Sequence, residues 1–360
     1  MIGSVMAYSG IVTKIHAMRA RLLKPDDYET IASMQTVTDI IHYLQHTKSY
    51  GPLIDQMDES LYHRGNIEKI LIQSLYNDYT SLYRFSNMKQ KEFLKIFMKR
   101  YEADLIRYCF RIVFNHYDVP FDLDYKKPFF NKYSDISIDR LITSKDISGL
   151  VDNLRGTEYY EPLAKIRDTG AETLFDYDLA LDLYYFSNMW KTRKHAWSKS
   201  DEAILKKDLG IKIDLLNLQW IYRAKKYYHM TPPDIYTLMI PIQYRLPEEQ
   251  FKALVEAPSV GEFFRILNQT FYGRNYQFNE EYNVEKVVDQ CLKHIFVTAF
   301  RNHPYSLASL QGYLFLKEEE INKITTALEC IRYGLSERET LKYISDPDTL
   351  DSRQQGGSTE

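Results

Sequence analysis

The sequence predicts an all-α protein made of three similar helical domains. Three observations predict it. Helix breakers are scarce, with 14 Gly and 12 Pro in 360 residues. Apolar residues recur at helical rather than alternating spacing. One capped helical segment also returns twice, at intervals of 110 and 113 residues.

The returning segments are residues 36–47 (TVTDIIHYLQHT), 146–157 (DISGLVDNLRGT) and 259–270 (SVGEFFRILNQT), which align without a gap. Each opens on a side chain able to accept from the free amides of a first helical turn: Thr36, Asp146 or Ser259. In two copies an acid follows three residues later, Asp39 and Glu262, as in a capping box. Apolar residues then fall at i, i+3, i+4 and i+7: Val37, Ile40, Ile41, Leu44; Ile147, Leu150, Val151, Leu154; and Val260, Phe263, Phe264, Leu267. That spacing is one buried stripe. A threonine and a tyrosine close each copy, Thr47 with Tyr50, Thr157 with Tyr160, and Thr270 with Tyr272. Gly51, Gly156 and Gly273 mark the turn.

A second signature recurs downstream, an acid followed three residues later by a polar residue in an apolar helix. The instances are Asp104 with Arg107, Asp214 with Asn217, and Glu319 with Asn322. From Thr47 to Asp104 is 57 residues, from Thr157 to Asp214 again 57, and from Thr270 to Glu319 is 49. Two signatures in register three times indicate a true repeat. Its period exceeds the roughly 20–50 residues of a solenoid unit and suits a small domain. The expected organisation is three helical repeats, 1–118, 119–232 and 233–344, related by pseudo-threefold symmetry. The polar residues 345–360 are expected to form a disordered tail. The proline-bearing stretches 116–133 and 229–247 read as connectors.

Composition narrows the functions. Hydrophobic residues make up 44% and charged residues 26%, which suits a globular chain. A net charge of -3 leaves no basic footprint for nucleic acid and no polybasic membrane patch. The Tyr-rich helices therefore read as core and interface rather than as a stacking platform for nucleic acid. No run of about 18 apolar residues occurs, and the N-terminus lacks the pattern of a signal peptide. Cys109, Cys291 and Cys330 form no CxxC pair and read as buried, reduced thiols.

Motifs for catalysis are missing. There is no phosphate loop, no GxGxxG and no GxSxG elbow. His42 and His46 stand four apart, but HYLQH lacks the glutamate of a zinc-protease helix, so they read as polar-face residues. Asp104, Asp214 and Glu319 read as structural acids satisfied by their own i+3 neighbours, with the lining of a polar central cavity as the other reading. Asn268-Gln269-Thr270 matches a glycosylation sequon by accident. No catalytic, cofactor-binding or metal-ligating residue is assigned, and no cofactor is expected.

Three segments carry a family resemblance. Residues 8–31 (YSGIVTKIHAMRARLLKPDDYETI), with AMRARLL at 17–23, resemble the start of the V/A-type ATPase C subunit, the equivalent of the d subunit of eukaryotic V-ATPases. Residues 213–225 (IDLLNLQWIYRAK) are similar to the family's D-x-x-N-L helix, and 304–334 to its E-x-x-N helix after a proline turn. The resemblance spans residues 8–344 and is taken to indicate a bacterial member; Arg107 departs from the asparagine of the other copies. It implies a funnel-shaped, non-catalytic central-stalk connector on the cytoplasmic face of the membrane. Such a part sits on the membrane rotor (proteolipid) ring, receives the central axle, and couples rotation to proton or sodium transport. The resemblance assigns no ring or axle contact residues. Two other classes are open to the same residues: a helical scaffold that shares the triplication, and a metal-dependent helical enzyme using His42 and His46.

Overall fold

The computed structural model describes residues 2–115, 122–171, 173–192, 198–276, 278 and 284–345. The expected tail from 346 onward and the first part of the first connector, 116–121, lie outside the described residues. Among the described residues there are 19 α-helices, two 3-10 turns and no strand, so the all-α expectation holds. In chain order the helices are α1 Ile2–Arg19, α2 Pro25–Ser33, α3 Val37–Gln45, α4 Gly51–Ile54, α5 Arg64–Phe85, α6 Met88–Phe114, α7 Lys127–Tyr133, α8 Ile138–Leu141, α9 Ile147–Asn153 and α10 Tyr160–Asp168. They continue as α11 Leu174–Thr192, α12 Lys199–Lys226, α13 Pro232–Leu238, α14 Glu248–Glu256, α15 Val260–Leu267, α16 Phe271–Asn275, α17 Val284–Asn302, α18 Leu307–Arg332 and α19 Glu337–Ile344.

The repeated segments start as their sequences dictate. Thr36 accepts from Asp39 N at 3.1 Å, Asp146 from Gly149 N at 2.7 Å, and Ser259 from Glu262 N at 3.1 Å. The reciprocal half of the capping box closes only at Asp39, which accepts from Thr36 N at 3.1 Å. Glu262 instead pairs with Arg265 at 2.5 Å, because a guanidinium one turn away is the stronger partner. The stripes bury Ile40, Ile41 and Leu44; Leu150, Val151 and Leu154; and Phe263, Phe264 and Leu267. The first apolar position, Val37, Ile147 or Val260, is only half-buried in every copy. Each helix then stops the same way. The hydroxyls of Thr47, Thr157 and Thr270 donate to Leu44 O, Leu154 O and Leu267 O at 2.6, 2.7 and 2.6 Å.

The connectors are more ordered than their prolines suggest. Residues 229–247 contain α13, whose first turn holds Pro232 and Pro233, and α7 likewise carries Pro128 in its first turn. A first-turn amide has no intrahelical acceptor, so proline costs nothing there.

The chain divides into two compact units. One comprises Met1–Ser86 with Ser309–Glu360 and the other Asn87–Ala308. In the first, α1 packs along α5, α4 on α5, and α19 against α2. Elements from the two chain ends thus share one core. In the second, α11 lies along α6, α17 along α12, α9 on α6 and α15 on α12. Its largest core joins Leu215, Leu218 and Tyr222 of α12 to Phe263 and Phe264 of α15 and to Val288 and Cys291 of α17.

Candidate functional site

The repeat converges on one arrangement seen three times: a buried tyrosine after the capped helix donates to a buried carboxylate on a long helix. Tyr50 OH reaches Glu320 Oε1 of α18 at 2.5 Å. Tyr159 OH reaches Glu102 Oε2 of α6 at 2.8 Å, and Tyr272 OH reaches Asp214 Oδ2 of α12 at 2.8 Å. Each carboxylate takes a further donor from the turn before the repeat's first short helix. Leu23 N donates to Glu320 at 2.5 Å, and Ser134 Oγ to Glu102 at 2.6 Å. Tyr244 N and Arg245 N donate to Asp214 at 3.1 and 2.6 Å.

The three sites balance charge differently. At Glu320 the buried Lys317 amine donates to the carboxylate at 2.8 Å and to Tyr50 OH at 2.9 Å. It also lies 4.2 Å from the Tyr50 ring centre. At Glu102 the partner is Lys99, 3.1 Å away and shared with Glu158. Burial pulls the Lys99 amine down, but the two carboxylates outweigh it and leave its pKa raised. Asp214 has backbone amides in place of a lysine. Burial pushes its carboxyl up, and the amides and Tyr272 pull it back. Burial first, then the adjoining carboxylate, raises the hydroxyls of Tyr50, Tyr159 and Tyr272 far above an ordinary phenol. They are permanent donors, held neutral. A neutral phenol facing a satisfied carboxylate supplies neither a base nor a nucleophile, so the arrangement is one for rigidity.

These geometries correct the register read from sequence. The capped helices at 146 and 259 pair with the long helix before them, with 57 residues between Glu102 and Tyr159 and 58 between Asp214 and Tyr272. The first pairs with the last, 270 residues from Tyr50 to Glu320. Of the three acids singled out, only Asp214 occupies the site. Asp104 is exposed and pairs with Arg107 at 2.9 Å, while Glu319 lies 3.6 Å from Lys323. The i+3 partner account holds for Asp104 and fails for Asp214. Asn217 instead bonds both backbone groups of Ile240, at 3.0 Å each. Tyr159 takes the place expected for Tyr160, whose ring stacks under Arg155. A partial signal was present, because Lys-x-x-Glu occurs at Lys99–Glu102 and at Lys317–Glu320, although also at Lys89–Glu92 and Lys199–Glu202.

The remaining candidates have ordinary roles. His46 Nδ1 lies 2.7 Å from His42 O, and His42 meets the Tyr62 ring edge-on. The three cysteines are free and buried; burial pushes the Cys109 and Cys291 thiols up to about 12 and raises Cys330. Thr270 of the sequon is fully buried. A cavity of about 270 Å³ adjoins Tyr159 and Lys99, but its acid Glu158 is already met by Lys99 and Asn188.

Gly210 shows how tightly the Asp214 site is built. A Cβ there would meet Tyr244 Cγ at 2.5 Å and Cβ at 2.7 Å. These atoms sit next to the backbone whose amides reach Asp214. Alanine normally favours a helix interior over glycine by about 1 kcal/mol. Here overpacking costs about 1–3 kcal/mol and wins. Gly210→Ala is therefore expected to lower the urea midpoint. An unchanged or raised midpoint would show that Tyr244 gives way freely.

The model of the ATP synthase (C/AC39) subunit family matches residues 11–343. The chain is 24% identical to the A-type ATP synthase C subunit of Archaeoglobus fulgidus, over 94% of this chain and 96% of that protein. It is 21% identical to the protein of the same name from Methanocaldococcus jannaschii, over 91% and 84% of the two chains. It is 25% identical to that of Methanosarcina mazei, over 74% and 71%.

Proposed function

The chain belongs to the ATP synthase (C/AC39) subunit family, and from that premise we propose that it is the central-stalk connector of a V/A-type rotary ATPase. In this reading it is a non-catalytic part at the cytoplasmic face of the membrane. It rests on the rotor ring, receives the central axle, and carries rotation between ATP turnover and ion movement. The match over residues 11–343 carries the proposal. The three helical repeats, 1–118, 119–232 and 233–344, are taken as walls of a funnel around a pseudo-threefold axis.

The physics of the repeat supports the reading. A part that transmits torque must resist deformation. Long helices pinned by buried, satisfied polar networks are stiffer than apolar packing alone. The longest described helices, α6, α12 and α18, have 27, 28 and 26 residues, and each carries one tyrosine–carboxylate site. No described helix is long and apolar enough to cross a membrane, so attachment would run through protein partners.

The test is to tag the chain in its source cells, purify the complex, and measure ATP-driven ion uptake in vesicles with and without it. Rotor-ring and axle proteins should co-purify. Vesicles lacking the chain should lose ion uptake while detached ATP hydrolysis persists. Purification without those proteins, or unchanged ion uptake after depletion, would overturn the proposal in favour of an unrelated helical scaffold.

A further inference from the structure

We propose that Asp104, Asp178 and Asp182, gathered around the single guanidinium of Arg107, form a proton-operated latch that sets how firmly α11 is held to α6. Arg107 pairs with Asp104 on its own helix at 2.9 Å. Across the helix interface it meets Asp182 directly and Asp178 at 3.8 Å. Asp178 and Asp182 are one turn apart on α11, so their carboxylates face the same cation. Arg107 is largely buried and both α11 acids are mostly so. Three carboxylates against one guanidinium leave an excess of negative charge in a poorly hydrated seam.

Other cations act on the cluster, but burial outweighs them at both α11 acids. From α6, Arg111 acts on Asp178. From α12, Lys212 acts on Asp182. The neighbouring Lys126 feels Asp104, yet burial lowers its own amine. From α10, Arg167 and Asp168 act on Tyr177 rather than on either acid. Burial is the main influence on both acids. It raises Asp178 and pushes Asp182 up to about 6, with the repulsion of Asp178 and Asp104 adding to the shift at Asp182 and Arg107 opposing it. Asp178 Oδ1 is also buried without a hydrogen-bond donor. One proton shared between neighbouring carboxyls relieves both the desolvation and the repulsion.

The direction of the switch follows. A carboxyl whose folded pKa lies above its unfolded value adds stability that is complete at low pH and lost as pH rises through the folded value. Acidification from pH 7.5 to 5 should therefore tighten the α6–α11 contact. With Asp182 at about 6, the full linkage predicts about a tenfold fall in local opening over that interval.

The experiment uses the full chain with 13C-labelled aspartate side chains. It follows the Asp182 carboxyl shift against pH, assigned by its loss in Asp182→Asn. Hydrogen exchange of residues 174–192 is recorded alongside, corrected for intrinsic rate. The expected result is an inflection near pH 6 and about tenfold greater protection at pH 5 than at 7.5. That gain should disappear in Asp182→Asn. An inflection below pH 4, or protection that does not follow it, overturns the latch. Should Asp182→Asn fail to fold, Asp178→Asn must lower the Asp182 inflection by relieving repulsion, and an unmoved inflection overturns the shared-proton account.

Discussion

Replacing Glu320 with alanine is expected to cost about 3–5 kcal/mol, because it removes the carboxylate that pairs with the buried Lys317 amine at 2.8 Å and leaves Asp78, already held by Tyr313, as the acid that still acts on it. Lys317 is 0% exposed, so water cannot take over the lost contact. Tyr50 OH and Leu23 N lose their acceptor in the same step. The loss is a large share of the stability of an ordinary domain, about 5–15 kcal/mol. Two controls separate charge from packing. Tyr50→Phe removes one donor but leaves lysine and carboxylate paired, and should cost only about 0.5–1.5 kcal/mol. Lys317→Met with Glu320→Gln removes both charges and keeps an acceptor for Tyr50 and Leu23, so the double variant should be more stable than Glu320→Ala. Urea midpoints of the full chain measure all three. Hydrogen exchange should localise the damage to residues 36–54, far from position 320 in sequence. A Glu320→Ala cost below about 1 kcal/mol would mean that water reaches the lysine, and that the carboxylate does not hold the chain's two ends together.

That long-range pairing also marks where sequence reasoning stopped. Thr36, Asp146 and Ser259 were legible as caps because capping acts within one turn and leaves a fixed spacing. The stripes ending at Leu44, Leu154 and Leu267 were legible for the same local reason. The choice between Asp104 and Glu102, or between Glu319 and Glu320, was not. Residues one or two positions apart on a helix point about 100–200° apart, and only the packed partner decides which faces inward. The i+3 pairing of Asp104 with Arg107 drew attention to the exposed side of α6, while Glu102 faced Tyr159. The direction of the repeat was hidden too. An offset of 57, found in two of the three copies, fits a downstream partner as well as one in the preceding helix. The packed pairs show that the second and third capped segments take their carboxylate from the long helix before them, while the first takes it from α18 at the other end of the chain. Lys-x-x-Glu was the local clue, and it fails at Asp214 because backbone amides replace the lysine there. Arg107 and its aspartates were visible only in part, since Asp178 and Asp182 lie more than 70 residues away from it.

Asp208→Asn is expected to stabilise the protein at pH 8 by about 2–4 kcal/mol, and to bring almost no gain at pH 4. The buried face of α12 carries three acids, and their surroundings differ. Asp201 accepts from Ser198 Oγ at 2.8 Å and from Leu307 N at 3.1 Å. Asp214 accepts from Tyr272 and two backbone amides. Asp208 is 1% exposed, and neither of its oxygens has a hydrogen-bond partner. Burial pushes its carboxyl up to about 7, against a weaker pull from Lys207 on the same helix. The folded value lies above the unfolded value of 3.8, so the folded state takes up a proton that the unfolded chain releases. Stability from this group is complete below about pH 4 and lost as pH rises through 7. Asparagine copies the neutral carboxyl in size and charge. It therefore matches the wild type at low pH and escapes the desolvation cost at high pH, although its amide is no better bonded. Urea midpoints at pH 4, 6 and 8 decide the matter: the difference between variant and wild type should grow with pH, and the wild type should lose stability across pH 5–8 more steeply than the variant. A difference independent of pH would show that Asp208 stays ionised in the fold and has found a donor, by a local shift of α12 or by admitting water. The same variant removes the Asp208 share of the pH dependence, so the slope left in Asp208→Asn belongs to the other raised carboxyls, Asp182 among them.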